Sequence, residues 1–208
     1  MTTLLAGTQT QDTQAATTPA DALEMLRAGN RRFVEGRLIE RPWNEQVEAT
    51  AGGQYPLAVV LGCIDSRVPV EKVFDQGIGD IFTGRVAGNV VNEDQLGSME
   101  FACKIAGAKA VIVLGHTSCG AVKGAIGNAR LGNLTTLVQK IEPTVQRVSA
   151  EMDADDPSFT DRVAEAHVSA MVDSIREKSS VLAEMEQNGE IAIQGAMYDI
   201  SNGEVRFL

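Results

Sequence analysis

Leu57-Ala58-Val59-Val60-Leu61-Gly62-Cys63-Ile64-Asp65-Ser66-Arg67 is the stretch that decides the fold. Residues 57–61 are apolar without interruption, and the chain then breaks into a cluster of reactive side chains. A short apolar run bounded in this way reads as a strand buried on both faces, as in a parallel sheet. Residues 110–114 repeat the pattern and lead into Gly115-His116-Thr117-Ser118-Cys119-Gly120. In an open α/β sheet, ligands sit in the crevice at the carboxyl ends of the strands. That edge collects two thiols, one imidazole, one carboxylate and one guanidinium.

Beyond these two runs, residues 81–86 read as a second strand and residues 191–200 as a fourth. Asn202-Gly203 reads as a two-residue hairpin turn, after which residues 204–207 return antiparallel. Helical patterns fill the gaps. Thr18-Pro19 reads as an N-cap and first helical position, followed by Ala22, Leu23, Leu26 and Phe33, with an interruption near Gly29-Asn30. Further helices are expected over 44–50, 70–75, 120–129, 134–149, 159–178 and 181–187. One more follows the capping-box spacing Asn92-Glu93-Asp94-Gln95 and places Leu96, Met99, Cys103 and Ala106 on one stripe. This order predicts an α/β fold: a single domain with a mostly parallel four-stranded central sheet, an antiparallel edge strand and flanking helices.

The chain has 208 residues, enough for one domain with a real core, and its 44% hydrophobic and 22% charged content is ordinary for a globular protein. With 28 acidic against 18 basic residues, the net charge of -10 argues against nucleic acid or an anionic membrane as partner. No apolar run is long enough to span a bilayer, and no basic segment precedes Leu4-Leu5, so a cytoplasmic location is expected. Residues 1–18 are rich in Thr, Gln and Ala, with little to bury. They are expected to form an arm, flexible or ordered against a partner subunit, and residues 19–208 the domain proper.

Three widely spaced cysteines do not suit a disulfide framework and do suit a metal. Cys63, His116 and Cys119 are a zinc-type donor set. Structural zinc needs four closed ligands, whereas three leave a position open for chemistry. Cys103 lies on the buried stripe of a helix and is assigned to packing. His167 lies in a late helix and is assigned to the surface or an interface. Asp65 is the further group able to close the site. A zinc enzyme that activates water is the reading.

These residues resemble those of the β-class carbonic anhydrases. The resemblance rests on Cys63-Ile64-Asp65-Ser66-Arg67-Val68-Pro69 and Gly115-His116-Thr117-Ser118-Cys119-Gly120-Ala121-Val122, with Gly79-Asp80-Ile81-Phe82 and Arg85-Val86-Ala87-Gly88-Asn89 between them. It extends from about Gly29 to the C-terminus. It implies one Zn2+ per chain on Cys63, His116 and Cys119, and an Asp65–Arg67 dyad. It also implies that Gln54 reaches the substrate pocket of a neighbouring subunit, that Phe82 forms an apolar wall, and that the Gly120 N–H faces the substrate. A homodimer or a dimer of dimers follows from the role of Gln54. One subgroup has a regulatory bicarbonate site built on a Trp three residues before the first Cys; Val60 stands there, so that form of the site is not expected.

The implied reaction is reversible hydration of carbon dioxide to bicarbonate and a proton by zinc-bound hydroxide. Two thiolates cancel the charge of Zn2+, so its water should be less acidic than in an all-His site. Arg67 is expected to hold Asp65 ionised through a bidentate contact. Below the pKa of the water, Asp65 is expected to swing onto the zinc and close the site. Two other functions share these residues: hydrolysis of carbon disulfide or carbonyl sulfide, and a zinc scaffold without turnover.

Overall fold

The computed structural model describes residues 7–208. The chain runs α1 (Gln11–Ala16), α2 (Pro19–Val34), α3 (Trp43–Thr50), β1 (Ala58–Gly62), α4 (Val70–Val73), β2 (Ile81–Arg85) and α5 (Glu93–Glu100). It continues through β3 (Ala110–His116), α6 (Gly120–Ile126), α7 (Gly132–Gln139), α8 (Glu142–Ser149), α9 (Phe159–Lys178), α10 (Ser180–Gln187), β4 (Ala192–Tyr198) and β5 (Val205–Phe207). The sheet order is β2-β1-β3-β4-β5. The first four strands are parallel and β5 is antiparallel to β4, as the order of elements predicts.

β1 and β3 lie inside the sheet, and every residue of both is buried. That is why their sequences show no polar alternation. Side chains on one face, including Val59, Leu61, Val111 and Val113, pack with Phe159, Val163, Val168 and Ile175 of α9. Those on the other face, including Val60, Ile112 and Leu114, pack with Leu26 of α2 and with Val73 and Phe74. The register pairs Gly62 with Leu114. Cys63 therefore leaves β1 at the level where β3 is about to deliver His116. α9 sits close over this region because β3 and β4 carry glycine beneath it. A Cβ on Gly115 would lie 2.4 Å from Val168 Cγ2, and one on Gly195 2.7 Å from Val168 Cγ1.

Several local expectations are corrected. α2 is not interrupted at Gly29-Asn30. Gly29 is there for close approach, since a Cβ would fall 1.8 Å from the Phe74 carbonyl oxygen. Asn30 is buried and donates to the carbonyls of Val73 and Gly203 while accepting from the Val205 N–H, which ties α2 to both α4 and β5. The span 134–149 is two helices, because Pro143 is tolerated only in a first turn and so starts α8. After α5 the backbone widens into a π turn over Phe101–Ile105, still burying Ala102 and Cys103. The β4–β5 connection is longer than two residues. Asp199 and Glu204 still pair through the Asp199 N–H, and the Asp199 carboxylate caps the Ser201 N–H. His167 is buried, at 1% exposure, not on the surface.

Of the arm, residues 1–6 lie outside the described residues. Gln11–Ala16 form a helix closed by a Thr10–Thr13 capping box. Gln14 is buried, and its amide donates to the carbonyls of Pro56 and Ala106 at 2.8 Å. Among the described residues, no helix is long and apolar enough to cross a membrane.

One ion cluster clamps residues 35–42 to the end of α4. The Asp75 side chain, 1% exposed, accepts from Arg32, from Arg41 (5% exposed) and from the Ile39 N–H. Asp75→Asn keeps the shape and leaves Arg41 buried without its counter-charge, which costs about 3–5 kcal/mol. Chemical denaturation should show a midpoint shift of that size. A loss below about 1 kcal/mol would mean that the cluster is solvated in solution.

Candidate metal centre

Cys63, His116 and Cys119 are all buried, and their ligand atoms lie within 4.8 Å of one another. Each is placed by a different device. Cys63 is the first residue past β1, and Arg85 pins the backbone there by donating to the carbonyls of Cys63 at 2.8 Å and Asp65 at 2.6 Å. His116 is the last residue of β3 and is fully buried. Cys119 is the N-cap of α6. Between them, Ser118 takes a left-handed φ of 53°, and its N–H donates to the Asp161 carboxylate at 2.7 Å. That turn swings Cys119 back towards Cys63.

The electrostatics favour thiolate at Cys63 and oppose it at Cys119. The hydrogen bond from Cys119 holds the Cys63 thiol down at about 4, opposed by burial and helped by the His116 ring and then by the N–H groups of Gly88 and Asp65. The same bond, together with burial, pushes Cys119 up, against the N–H groups of Val122 and Ala121 in the first turn of α6. Backbone N–H groups and a helix N-terminus stabilise thiolate once the proton leaves.

His116 Nδ1 bonds the Thr117 carbonyl at 2.9 Å, so it carries the proton and leaves a bare lone pair on Nε2. Among the described residues, Nε2 is buried and has no hydrogen-bond partner. An orphaned buried acceptor beside two sulfurs fits a metal, and a ligand set of two sulfurs and one nitrogen fits zinc. Asp65 stays outside this group. Its two oxygens accept from Arg67 Nε at 2.9 Å and Nη2 at 2.7 Å, and Oδ2 lies 3.9 Å from His116 Nε2. Arg67 holds the Asp65 carboxyl far below the ordinary carboxylate range. The bidentate pair expected from the sequence is formed.

The family model for carbonic anhydrase matches residues 58–205. A carbonic anhydrase 2 of Mycobacterium tuberculosis is 37% identical over 195 residues, covering 90% of this chain and 91% of its own. The chain belongs to the β-class carbonic anhydrases. A β-carbonic anhydrase of Aspergillus fumigatus superposes with a TM-score of 0.73 at 29% identity, over 91% of this chain and 89% of that one. A tetrameric β-carbonic anhydrase of Sordaria macrospora shares the fold at 24% identity, with a TM-score of 0.72 over 79% of this chain and 90% of its own. β-carbonic anhydrases are zinc enzymes, and Cys63, His116 and Cys119 stand here as a zinc-binding group.

Of the other residues matched to β-carbonic anhydrase positions, Gly120 adjoins Cys119, whereas Gln54 and Phe82 stand on other parts of the fold. Gln54 is exposed and precedes the amino end of β1, whereas Cys63 follows its carboxyl end. The length of β1 separates them, roughly 16 Å at about 3.3 Å per residue. Phe82 is half-buried on β2, edge-on to Phe101 at 6.2 Å. It faces a cleft of about 860 Å³ that Val59, Leu61, Arg85 and Met99 also line, and none of the cleft's lining residues is a ligand. Gly120 opens α6, so its N–H is one of the first-turn donors that have no helical partner.

Sequence reasoning gave Arg85, Gly88 and Asp161 no role at the metal. Arg85 and Gly88 belong to a segment whose pattern was visible, but only the fold reveals that they bond Cys63. Asp161 carries no local signal at all, since it reaches the metal loop from α9.

Proposed function

We propose that this chain hydrates carbon dioxide reversibly to bicarbonate and a proton. The observation that carries the reading is the buried Cys63–His116–Cys119 triangle with the ionised Asp65–Arg67 pair beside it. Zn2+ held by those three residues would supply the acidity that turns water into a nucleophile. Asp65, kept ionised and oriented by Arg67, accepts a hydrogen bond from the nucleophile and so turns its lone pair towards the carbon. Gly120 N–H and the Gln54 amide donate to the oxygen that gains charge. Phe82 gives the small apolar substrate a dry wall.

The placement of Gln54 at the far edge of its own sheet supports a site completed by a second subunit, and hence a homodimer or a dimer of dimers. In that assembly residues 1–18 act as an arm to the catalytic body 19–208. The free thiols of Cys63, Cys103 and Cys119 accord with a reducing, cytoplasmic setting.

Stopped-flow hydration of carbon dioxide by the zinc-loaded protein tests the activity. Carbon disulfide and carbonyl sulfide assayed alongside test the hydrolase reading. Zinc binding without turnover on any of the three would leave a scaffold. The oligomer has its own test. Gln54→Ala and Cys119→Ser subunits, each impaired alone, should recover roughly a quarter of wild-type activity when mixed, because a C2 heterodimer holds one intact site. No recovery, or an active monomer in sedimentation at assay concentration, would defeat it.

A further inference from the structure

His167 sits within α9 among apolar neighbours, at 1% exposure. Burial pulls its pKa down to about 4, so the ring is neutral and carries one N–H. Nε2 lies 3.1 Å from the Gly88 carbonyl oxygen. A carbonyl can only accept, so the proton is on Nε2. Nδ1 is then a bare acceptor, buried and without a hydrogen-bond partner among the described residues. Leaving such an atom unpaired costs on the order of 1–3 kcal/mol. An apolar side chain would pack α9 without that cost.

The other side of Gly88 faces the metal group. Its N–H donates to Cys63 Sγ at 3.3 Å. Gly88 has a left-handed φ of 66°, and a Cβ there would lie 2.8 Å from Ile141 Cδ1, so the residue is wedged as well as bonded.

We propose that His167 is a positioning residue of the metal centre: it anchors the Gly88 carbonyl from behind and so keeps the Gly88 N–H on the Cys63 sulfur. This rests on the zinc reading of Cys63, His116 and Cys119. An N–H···S bond draws charge from the thiolate and fixes its direction. Outer partners of this kind typically tune metal affinity or activity by about 10–100-fold.

The test uses full-length protein loaded with Co2+, whose thiolate charge-transfer band reports on the sulfur, and chelator competition for Zn2+. In His167→Phe the band should move to longer wavelength, because a thiolate without its donor is easier to oxidise. Zinc affinity should fall about 10–100-fold. His167→Gln carries an amide N–H of similar reach, so it should restore both. Wild-type band and affinity in both variants, with only the melting temperature lowered, would overturn the proposal and leave His167 a packing residue. If His167→Phe does not fold, the 113Cd-loaded wild type decides. The Gly88 amide proton should couple to cadmium through the hydrogen bond, and absence of that coupling overturns the proposal. Wild-type protein that binds none of these metals would instead overturn the zinc reading itself.

Discussion

Cys119→Ser should lose nearly all of its zinc and lower carbon dioxide hydration by well over 100-fold, beyond the range reached by changes in supporting residues. The reason is the ligand atom. A serine hydroxyl keeps its proton near neutral pH, so it replaces a soft anion with a neutral oxygen. The N–H groups of Ala121 and Val122 would then face no negative charge. The backbone need not move, because Cys119 is held by the Ser118–Asp161 bond and the start of α6. Elemental analysis of purified protein is the measurement. A full equivalent of zinc per chain in the variant would sink the ligand assignment.

Arg67→Ala should lower turnover by about two orders of magnitude, of the size seen when an electrostatic donor is removed from a reacting centre. Asp65 loses both guanidinium bonds and keeps only the residue-67 backbone N–H on Oδ1, while Oδ2, left without a donor, already lies 3.9 Å from His116 Nε2. The freed carboxylate should then compete for the metal's open position. The sign of the pH effect follows from the direction of the Asp65 shift. Its pKa is depressed, so the carboxylate is ionised above that value, and the Arg67 pair is lost only as pH falls through it. His167, at about 4, also titrates in acid. Neither group can produce a limb on the alkaline side of neutrality. A rise in wild-type activity through the mildly alkaline range is expected instead from ionisation of the nucleophile, which two thiolate ligands would place above the all-His value. A pH–rate profile for both proteins, with structures of each at the two ends, is the check. A flat wild-type profile, with Asp65 on Arg67 throughout, would refute the ionisation argument and the closure together.

The fold was legible where burial alone determines sequence. β1 and β3 are apolar without a break because both of their faces are covered, and the ligand residues follow at once, still buried, where the strands reach their carboxyl ends. What could not be read was anything that depends on how distant elements fit. Gly29 looks like a helix breaker in one dimension and is a contact surface for the Phe74 carbonyl in three. His167 lies on α9, whose surface pattern gives no hint that its ring reaches Gly88. The π turn at Phe101–Ile105 leaves the apolar stripe nearly intact, so periodicity cannot report it. The ligands themselves were legible because each stands next to a strand end. Gln54 was not legible from chemistry, because a lone exposed glutamine has no spacing to argue from.

The register that sets Gly62 beside Leu114 also orders events in time. β1 and β3 pair across an intervening strand and two α-helices, so the loop between them must close before Cys63 can meet His116. Such closures are slow entropic steps, and parallel pairing of this kind is typical of slow folders. The three ligands come together only once β1 and β3 have paired. Capture of the metal is therefore expected to follow assembly of the sheet rather than to nucleate it. A chain refolded in the presence of chelator should become competent as soon as zinc is supplied, without a second folding phase.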